Sequence, residues 1–443
     1  MSNVLTGLGK SGKDKNVHLE VGDYRILTDE ELTALYTAGG LSGKIVDVVA
    51  HDSTRNGWEL KNDEDGEIEL ELARIGFTAA INQALIYSRL YRGAVIVMVT
   101  QTGKLDKPIP LNGGVVTHLR VYSAARIDLY EEDIVDDPNS KYFEDVEKFK
   151  IRKLRGGYME VHRERCMVFK GEVLPDYETS LFDLTYHYWG LGAVQKIWIE
   201  LSYYESGEQG VSNLMQEAVI GKYKMSNLKS ILAQGTKEAI DKILTRLETI
   251  NTSKSIIRAV LLAEDEDYIR DGVNFGGIPE IMDRQQIALS AVANIPVTRL
   301  FGRSPAGMNS TGQSDERMYY DDVKSRQEWQ MRKEMDRCIQ YVGSYIYGGD
   351  KKEYGIEEFR SLWELTEKEK SEIDKMNAET DAIYLDRGVL YPDQVIEERF
   401  PEKSEEINSS YLKAAEEEIK KLEEMNRTKV KGTPEPVEPG AAE

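Results

Sequence analysis

The chain of 443 residues carries five histidines, His18, His51, His118, His162 and His187, and two cysteines, Cys166 and Cys338. No two histidines stand at H-x-x-x-H spacing, and neither cysteine has a second ligand two to four residues away. The spacing therefore predicts no zinc site, structural or catalytic. His51-Asp52 has the form of the metal-phosphohydrolase doublet, but no nearby segment supplies the further ligands, and a satisfied pair at a helix end is the reading it supports. Two-histidine phosphoester cleavage needs two H-x-[ST] strands, so that paired imidazoles act as acid and base across one phosphate. Here Leu-Arg follows His118, Arg-Glu follows His162 and Tyr-Trp follows His187. The acidic run Glu264-Asp265-Glu266-Asp267 could attract a divalent cation, yet in an acidic chain it reads first as a solvated turn. Leu8-Gly9-Lys10-Ser11 lacks the first glycine of a P-loop, since Val4 stands in that place, and no strand precedes it. Asn309-Ser310-Thr311 matches a glycosylation sequon only by coincidence in a chain with no apolar leader. No Gly-x-Ser-x-Gly elbow or dinucleotide fingerprint occurs. The residues thus predict no catalytic set, no cofactor and no metal.

Composition narrows the classes further. Hydrophobic residues make up 40% and charged residues 30%, which predicts a folded protein with a sizeable core; the length allows two or three domains or one large body. Two cysteines exclude a disulfide scaffold and predict core thiols of a reducing compartment. The formal charge of −21 argues against a clamp that grips nucleic acid by neutralising phosphates. It leaves room for a protein past which DNA slides. No stretch reaches the length of a membrane span, and the polar start predicts synthesis and folding in the cytoplasm.

The elements that would position any site follow from periodicity. Residues 1–20 read as a disordered arm and 428–443 as a disordered tail. Thr28 predicts a helix N-cap with acids in the first turn. Helices are expected over 41–52, with Ile45, Val48 and Val49 on one face, and over 67–90. A buried strand is expected over Ala94–Val99, and further strands over 115–122, 126–130, 149–154 and 158–169. A long helix over 193–221 is interrupted by Gly207 and Gly210, which imply a bend or a tight contact. A short helix over 236–250 precedes two paired strands, 255–262 and 268–273. Pro279 opens a helix that Asn294 and Pro296 close. Three glycines and a proline between Arg299 and Gly312 then predict an exposed loop. A helix over 314–347 follows, its first half charged around most of its circumference and its second half striped by Met335, Ile339, Val342 and Ile346. Charged helix resumes over 364–427, broken at Asp386-Arg387-Gly388.

Several blocks, in order, resemble one family. Ile45-Val46-Asp47, Thr54-Arg55-Asn56-Gly57-Trp58-Glu59 and Arg89 to Met98 are similar to the N-terminal half of a tailed-phage portal protein, in the phage-associated subfamily with a conserved domain of unknown function. Ala293 to Asn309, followed by Asp315 and Tyr319-Tyr320-Asp321, is similar to its most distinctive block. The resemblance runs from about residue 22 to about residue 400.

The resemblance implies an α+β, portal-type subunit, about twelve copies of which ring one capsid vertex. The implied parts are a wing over 21–192, a stem helix over 193–221, a clip over 222–277, a second stem helix over 278–297, a tunnel loop over 298–313, a long wing helix and return over 314–363, and a helical crown over 364–427. It implies a channel for packaging, retaining and ejecting double-stranded DNA, assembled in the host cytoplasm and held in the virion. Implied partners are other copies, the terminase large subunit, a head–tail adaptor, and major capsid and scaffolding proteins, with no membrane. Arg299, Arg303, Ser304, Gly307, Met308 and Asn309 would be the loop residues that meet DNA, and Glu264, Asp265, Glu266 and Asp267 a weaker docking surface for motor or adaptor. The subfamily is sometimes fused to a cyclic-nucleotide-cleaving phosphoesterase, and without H-x-[ST] pairs this chain is expected to hydrolyse nothing. A metal-dependent phosphodiesterase using scattered carboxylates, or a minor head or adaptor protein that forms no channel, are the alternatives.

Overall fold

The structure is a computed structural model. It describes residues 25–110, 114–175, 183–217, 221–224, 237–256, 267–270, 275–302, 312–348, 353–363 and 367–399, with residues 229, 233, 420 and 421 besides. The expected terminal arm and tail, and the Gly9-Lys10-Ser11 segment, lie outside them. Two compact units divide the chain after Leu362.

In the first unit, helices α1 (Asp29–Thr37) and α2 (Leu41–Arg55) lead into β1 (Trp58–Lys61), α3 (Glu67–Arg74), α4 (Phe77–Tyr91) and β2 (Gly93–Thr100). Strands β3 (Val116–Ser123), β4 (Ile127–Asp128), β5 (Lys148–Arg152), β6 (Tyr158–His162) and β7 (Cys166–Lys170) follow. Then come α5 (Leu184–Trp189), α6 (Ala193–Lys196), α7 (Trp198–Glu217), β8 (Gly221–Lys224), α8 (Lys237–Ile256), β9 (Asp267–Arg270), α9 (Ile278–Ala293) and α10 (Val297–Phe301). The long helix is α11 (Gly312–Arg326) and α12 (Arg332–Tyr347) joined by a π turn over Gln327–Met331, and β10 (Gly355–Phe359) returns to pair with β1. The mixed helix-and-sheet class is as the sequence predicts. All the named sheets are antiparallel: β3-β2-β7, β4-β5-β6, β1-β10 and β8-β9.

Strand β2 is apolar on every residue from Ala94 to Val99 because both of its faces are covered. Alternate side chains point to opposite sides of a strand. Ala94, Ile96 and Met98 accordingly pack with α4 and α12, while Val95 and Val97 pack with Phe149, Val161 and Trp189 of the second layer. A third cluster joins Leu32, Ile45, Val46, Val49, Leu90, Val194, Leu201, Leu289, Leu300, Tyr319 and Val323. It gathers α1, α2, α7, α9, α10 and α11 around one centre.

The predicted helix ends are well formed. Thr28 caps α1 with its hydroxyl on the Glu31 amide at 3.2 Å, and Glu31 reaches back to the Thr28 amide at 3.0 Å. Asn294 closes α9 in the left-handed region at φ 53°. Four expectations need correction. The 67–90 helix is two helices, because Gly76 takes φ 69° between them and only glycine does so without strain. The 158–169 strand is interrupted by a 3-10 turn over Arg163–Arg165. Ser255 and Ile256 end α8 rather than start a strand; Ile240, Ile243, Leu244, Leu247 and Ile250 keep helical spacing up to that point, and β9 pairs instead with β8. The first half of the long helix buries Tyr319 and Val323 four residues apart, a narrow apolar seam hidden among charges.

Gly207 does mark a tight contact. A Cβ there would stand 2.5 Å from Gln285 Oε1 on α9, so α7 and α9 approach closely at that point; Gly210 faces open space. An ionic network ties α12 to the sheet. Glu334 accepts from the Val168 amide at 3.0 Å, from Arg337 at 2.9 Å and from Arg163 at 3.2 Å. Arg163 also donates to Asp145 at 3.1 Å, and the Tyr188 hydroxyl donates to the other oxygen of that carboxylate.

The second unit contains α13 (Glu367–Asp386) and α14 (Pro392–Arg399), separated by Gly388 at φ 65° as the Asp386-Arg387-Gly388 signal predicts. No residue of α13 is buried. Arg399 donates to Asp381 at 2.9 Å and links the two helices.

Candidate functional site

The segment with the strongest sequence signal is the Gly-rich stretch after Arg299, and its two flanks meet on one carboxylate. Asp52 lies on α2 at the positions that also carry Ile45 and Val49, and its side chain is wholly buried. From α10, Arg299 donates to both Asp52 oxygens, Nη2 at 2.6 Å and Nε at 3.1 Å. From α11, beyond the loop, the Tyr319 hydroxyl donates to Asp52 Oδ2 at 2.8 Å. Arg55, one turn along α2, approaches Oδ1 at 3.4 Å and lies over the Tyr320 ring at 5.7 Å. A second tie crosses the same gap, with Thr298 Oγ1 donating to Glu316 at 3.3 Å.

The electrostatics suit a fixed foundation. The hydrogen bonds to Asp52 hold the Arg299 guanidinium above its ordinary range. Burial, reinforced by the adjacent Asp52 charge, pushes the Tyr319 phenol far up, so it stays a donor. A bidentate guanidinium–carboxylate pair fixes orientation as well as distance. Apolar packing acts in the same place: Leu300 and Tyr319, 1% and 4% exposed, sit in the third core cluster. Gly302 then ends α10 in the left-handed region.

The surrounding contacts extend the foundation along α2. Gln327 donates to the Ser53 carbonyl at 2.8 Å, and Arg89 to the Ile45 and Val46 carbonyls at 2.8 and 3.1 Å. Burial, aided by the nearby Arg326 charge, pushes Arg89 down to about 10, which leaves it charged at neutral pH. Arg326 itself pairs with Glu172 at 2.8 Å.

Of the loop residues named from sequence, Arg299 is on α10 and engaged by Asp52 within the same chain. Arg303, Ser304, Gly307, Met308 and Asn309 lie outside the described residues. So do Glu264, Asp265 and Glu266; Asp267 opens β9 opposite Lys224. The sequence reading missed Asp52 and Tyr319 as anchors. The signal was available: an aspartate in phase with Ile45 and Val49 must face the interior, where it needs a cationic or hydroxyl partner. His51, read with Asp52 as a helix-end pair, instead shares its Nδ1 with Asn82 at 3.1 Å. Among the described residues no group of three or more His, Cys, Asp or Glu side chains is placed to hold a metal ion. No described helix is long and apolar enough to cross a membrane.

Comparison with known proteins agrees with this architecture. In fold, the chain is similar to a subunit in the virion of a native gene transfer agent particle, at 12% identity and TM-score 0.50, covering 84% of this chain and 93% of that one. It is likewise similar to a subunit in the neck of an empty gene transfer agent particle, at 13% identity and TM-score 0.51, with the same coverage. In sequence, it is 28% identical over 406 residues to the anti-CBASS protein Acb1 of Sphingomonas paeninsulae, covering 88% of this chain. The chain spans about three fifths of the length of two of the curated relatives it matches, 62% and 61%, and 74% of a third. A family model for phage portal proteins matches residues 30–383. That match takes in both flanks of the Asp52 anchor, and the chain belongs to the phage portal protein family.

Proposed function

We infer that copies of this chain close into a ring of about twelve around an open channel at one capsid vertex, and that double-stranded DNA is driven through it during packaging, held there, and released on ejection. The observation that carries this reading is the shared anchor. Both ends of a glycine-rich segment are fastened to Asp52, inside the region that matches the portal family. A segment anchored at both ends and rich in glycine can follow a moving helical polymer without losing its footing. Arg299 to Gly312 is then the tunnel loop, with Arg303, Ser304, Gly307, Met308 and Asn309 nearest the DNA.

The net charge of −21 supports passage over grip. Repulsion from phosphates keeps a duplex centred and mobile, whereas a basic lining would release counterions and bind. The pair α7 and α9 fits the stem, residues 222–277 the clip, and α13 with α14 the crown. The acids from Glu264 to Asp267 would dock the terminase large subunit or a head–tail adaptor, with capsid and scaffolding proteins around the wing. Assembly would take place in the host cytoplasm and the finished ring would reside in the virion.

The name of the longer relatives raises a second reading, that this chain carries an enzymatic activity. The chain has one H-x-[ST] triplet, His51-Asp52-Ser53 on helix α2, and no second to make the pair that two-histidine phosphoester cleavage needs, so we assign whatever that name denotes to the part of those proteins this chain does not share. Two measurements test the proposal. Mass measurement with electron-microscope class averages of the purified chain should show closed, open-centred rings; a monomer under every assembly condition, or plugged rings, would overturn it. Incubation with cyclic oligonucleotides and divalent cations should show no turnover, and metal-dependent cleavage would favour the enzyme.

A further inference from the structure

The long helix carries two buried seams that are out of phase. An α-helix turns about 100° per residue. Counted at that pitch, Tyr319, Val323 and Gln327 share one direction. Met331, Met335, Cys338, Ile339 and Val342 share another, about 100° further round, which is the turn of one residue. All of them are buried. They face a single body, because both core clusters along the helix draw on α2 and α4: Val49 and Leu90 in one, Ala50 and Leu85 in the other. One surplus residue therefore separates the seams. The π turn Gln327–Met331 takes it up, since a π turn holds one residue more than the α turn it replaces and recurs at functional positions. Trp329, in the middle of that turn, is 86% exposed, so the surplus bulges outward.

The surplus has a second place to go. When α11 rotates by about 100° and advances about 1.5 Å toward its N-terminus, the long helix becomes continuous α and the span between Gly302 and α11 gains one residue. Tyr320, Lys324 and Glu328 then stand where Tyr319, Val323 and Gln327 stood. Tyr320 brings a second phenol to Asp52; its ring already lies 5.6 Å from that of Tyr319, beneath Arg55. Lys324 and Glu328 make the exchange uphill. It breaks the Lys324–Glu358 pair at 3.0 Å and the Glu328–Arg332 pair at 2.8 Å. It also sets an ammonium in an apolar seam and a carboxylate against the Ser53 carbonyl, which now accepts from Gln327. The observed register is the resting one.

We propose that the π turn stores one residue for the glycine-rich loop: load on the loop draws α11 one residue forward, and Tyr320 relieves Tyr319 on Asp52. Helix α12 keeps its place, because Glu334 is bound to the Val168 amide, Arg163 and Arg337. Arg299 stays bidentate on Asp52 throughout, so only the far flank of the loop moves. The load shifts the balance between two registers that the chain already contains. The inference rests on the reading of that loop as the element that follows DNA, and it supplies the device by which the loop lengthens and shortens.

Two substitutions in the full-length chain make the registers chemically alike. With Lys324→Leu and Glu328→Gln together, the second register presents a phenol, an apolar side chain and an amide, without a π turn, so α11 should settle there. Dependence on the phenol should move with it. In the otherwise unaltered chain Tyr319→Phe should lower the urea midpoint more than Tyr320→Phe; in the double variant that order should reverse. Deleting Trp329 removes the stored residue and aligns the two seams on one continuous helix. The deleted chain should therefore fold, and Tyr319 should remain the residue that matters even with both substitutions present. Trp329→Ala keeps the residue count and should leave the reversal intact. An order that does not reverse, or a Trp329-deleted chain that cannot fold, overturns the device. In particles, the deletion should lower DNA packaging while rings still form. Reversal of the order with packaging undiminished by the deletion sustains the register step and overturns the role given to the loop.

Discussion

Arg299 and Asp52, 247 residues apart in sequence, face each other as a bidentate pair at 2.6 and 3.1 Å, with the carboxylate wholly buried. The consequence is mechanical. A buried carboxylate must be satisfied by donors, and those donors are drawn from both sides of the loop, so the loop cannot shift as a whole without leaving Asp52 uncompensated. Asp52→Asn should cost about 2 kcal/mol of stability, near the lower end for such a pair because Arg299 is partly exposed. Tyr319→Phe should cost about 1 kcal/mol. Urea midpoints measure both, and a double-mutant cycle of Asp52→Asn with Arg299→Met should show coupling; additive effects would dissolve the anchor.

Shortening residues 303–309 should leave ring assembly unchanged, because the described contacts that hold α10 and α11 lie outside that span. DNA packaging or retention should fall. Unchanged genome content in particles built with the shortened chain would remove the loop from the mechanism.

Charge reversal at Glu264, Asp265, Glu266 and Asp267 should weaken docking of the terminase or adaptor while rings still form. Binding that survives reversal would assign those partners to another surface.

Acid should act through paired carboxylates. Burial pushes Asp145 up, but the Tyr188 hydroxyl and Arg163 outweigh it and hold the group below its ordinary value of 3.8. At Glu172, burial is likewise outweighed by Arg326 and then Lys196, below the ordinary value of 4.5. A lowered folded value means the stabilisation is complete above the ordinary range and is lost as pH falls through the depressed values. Stability should therefore hold steady from pH 7 to about 5 and drop below about 4. Arg326→Met should flatten that drop, and an unchanged pH profile in this variant would refute the assignment.

The two thiols should be silent. Burial pushes Cys166 and Cys338 up to about 12, which leaves on the order of 1 in 10,000 as thiolate at pH 8. Iodoacetamide should label neither in the native protein and both after unfolding; rapid native labelling would show that the core opens.

The sequence by itself determined a good deal of this protein. Thr28, Pro279, Asn294 and Gly388 set element boundaries because capping and left-handed geometry are local properties of one or two residues. The run Ala94–Val99 announced a strand covered on both faces, and the ordered blocks around Trp58, Arg89 and Phe301 pointed to the family. What escaped it were decisions between distant segments. Whether β9 pairs with a strand from 221–224 or from 255–262 depends on which backbone lies alongside it, and β-branching near Ile256 is equally compatible with a helix end. The buried seam of Tyr319 and Val323 is too narrow to read through the charges beside it. Above all, only the tertiary structure put Arg299, Tyr319 and Asp52 together: a buried charge specifies that it needs partners, but folding the chain back on itself decides which ones.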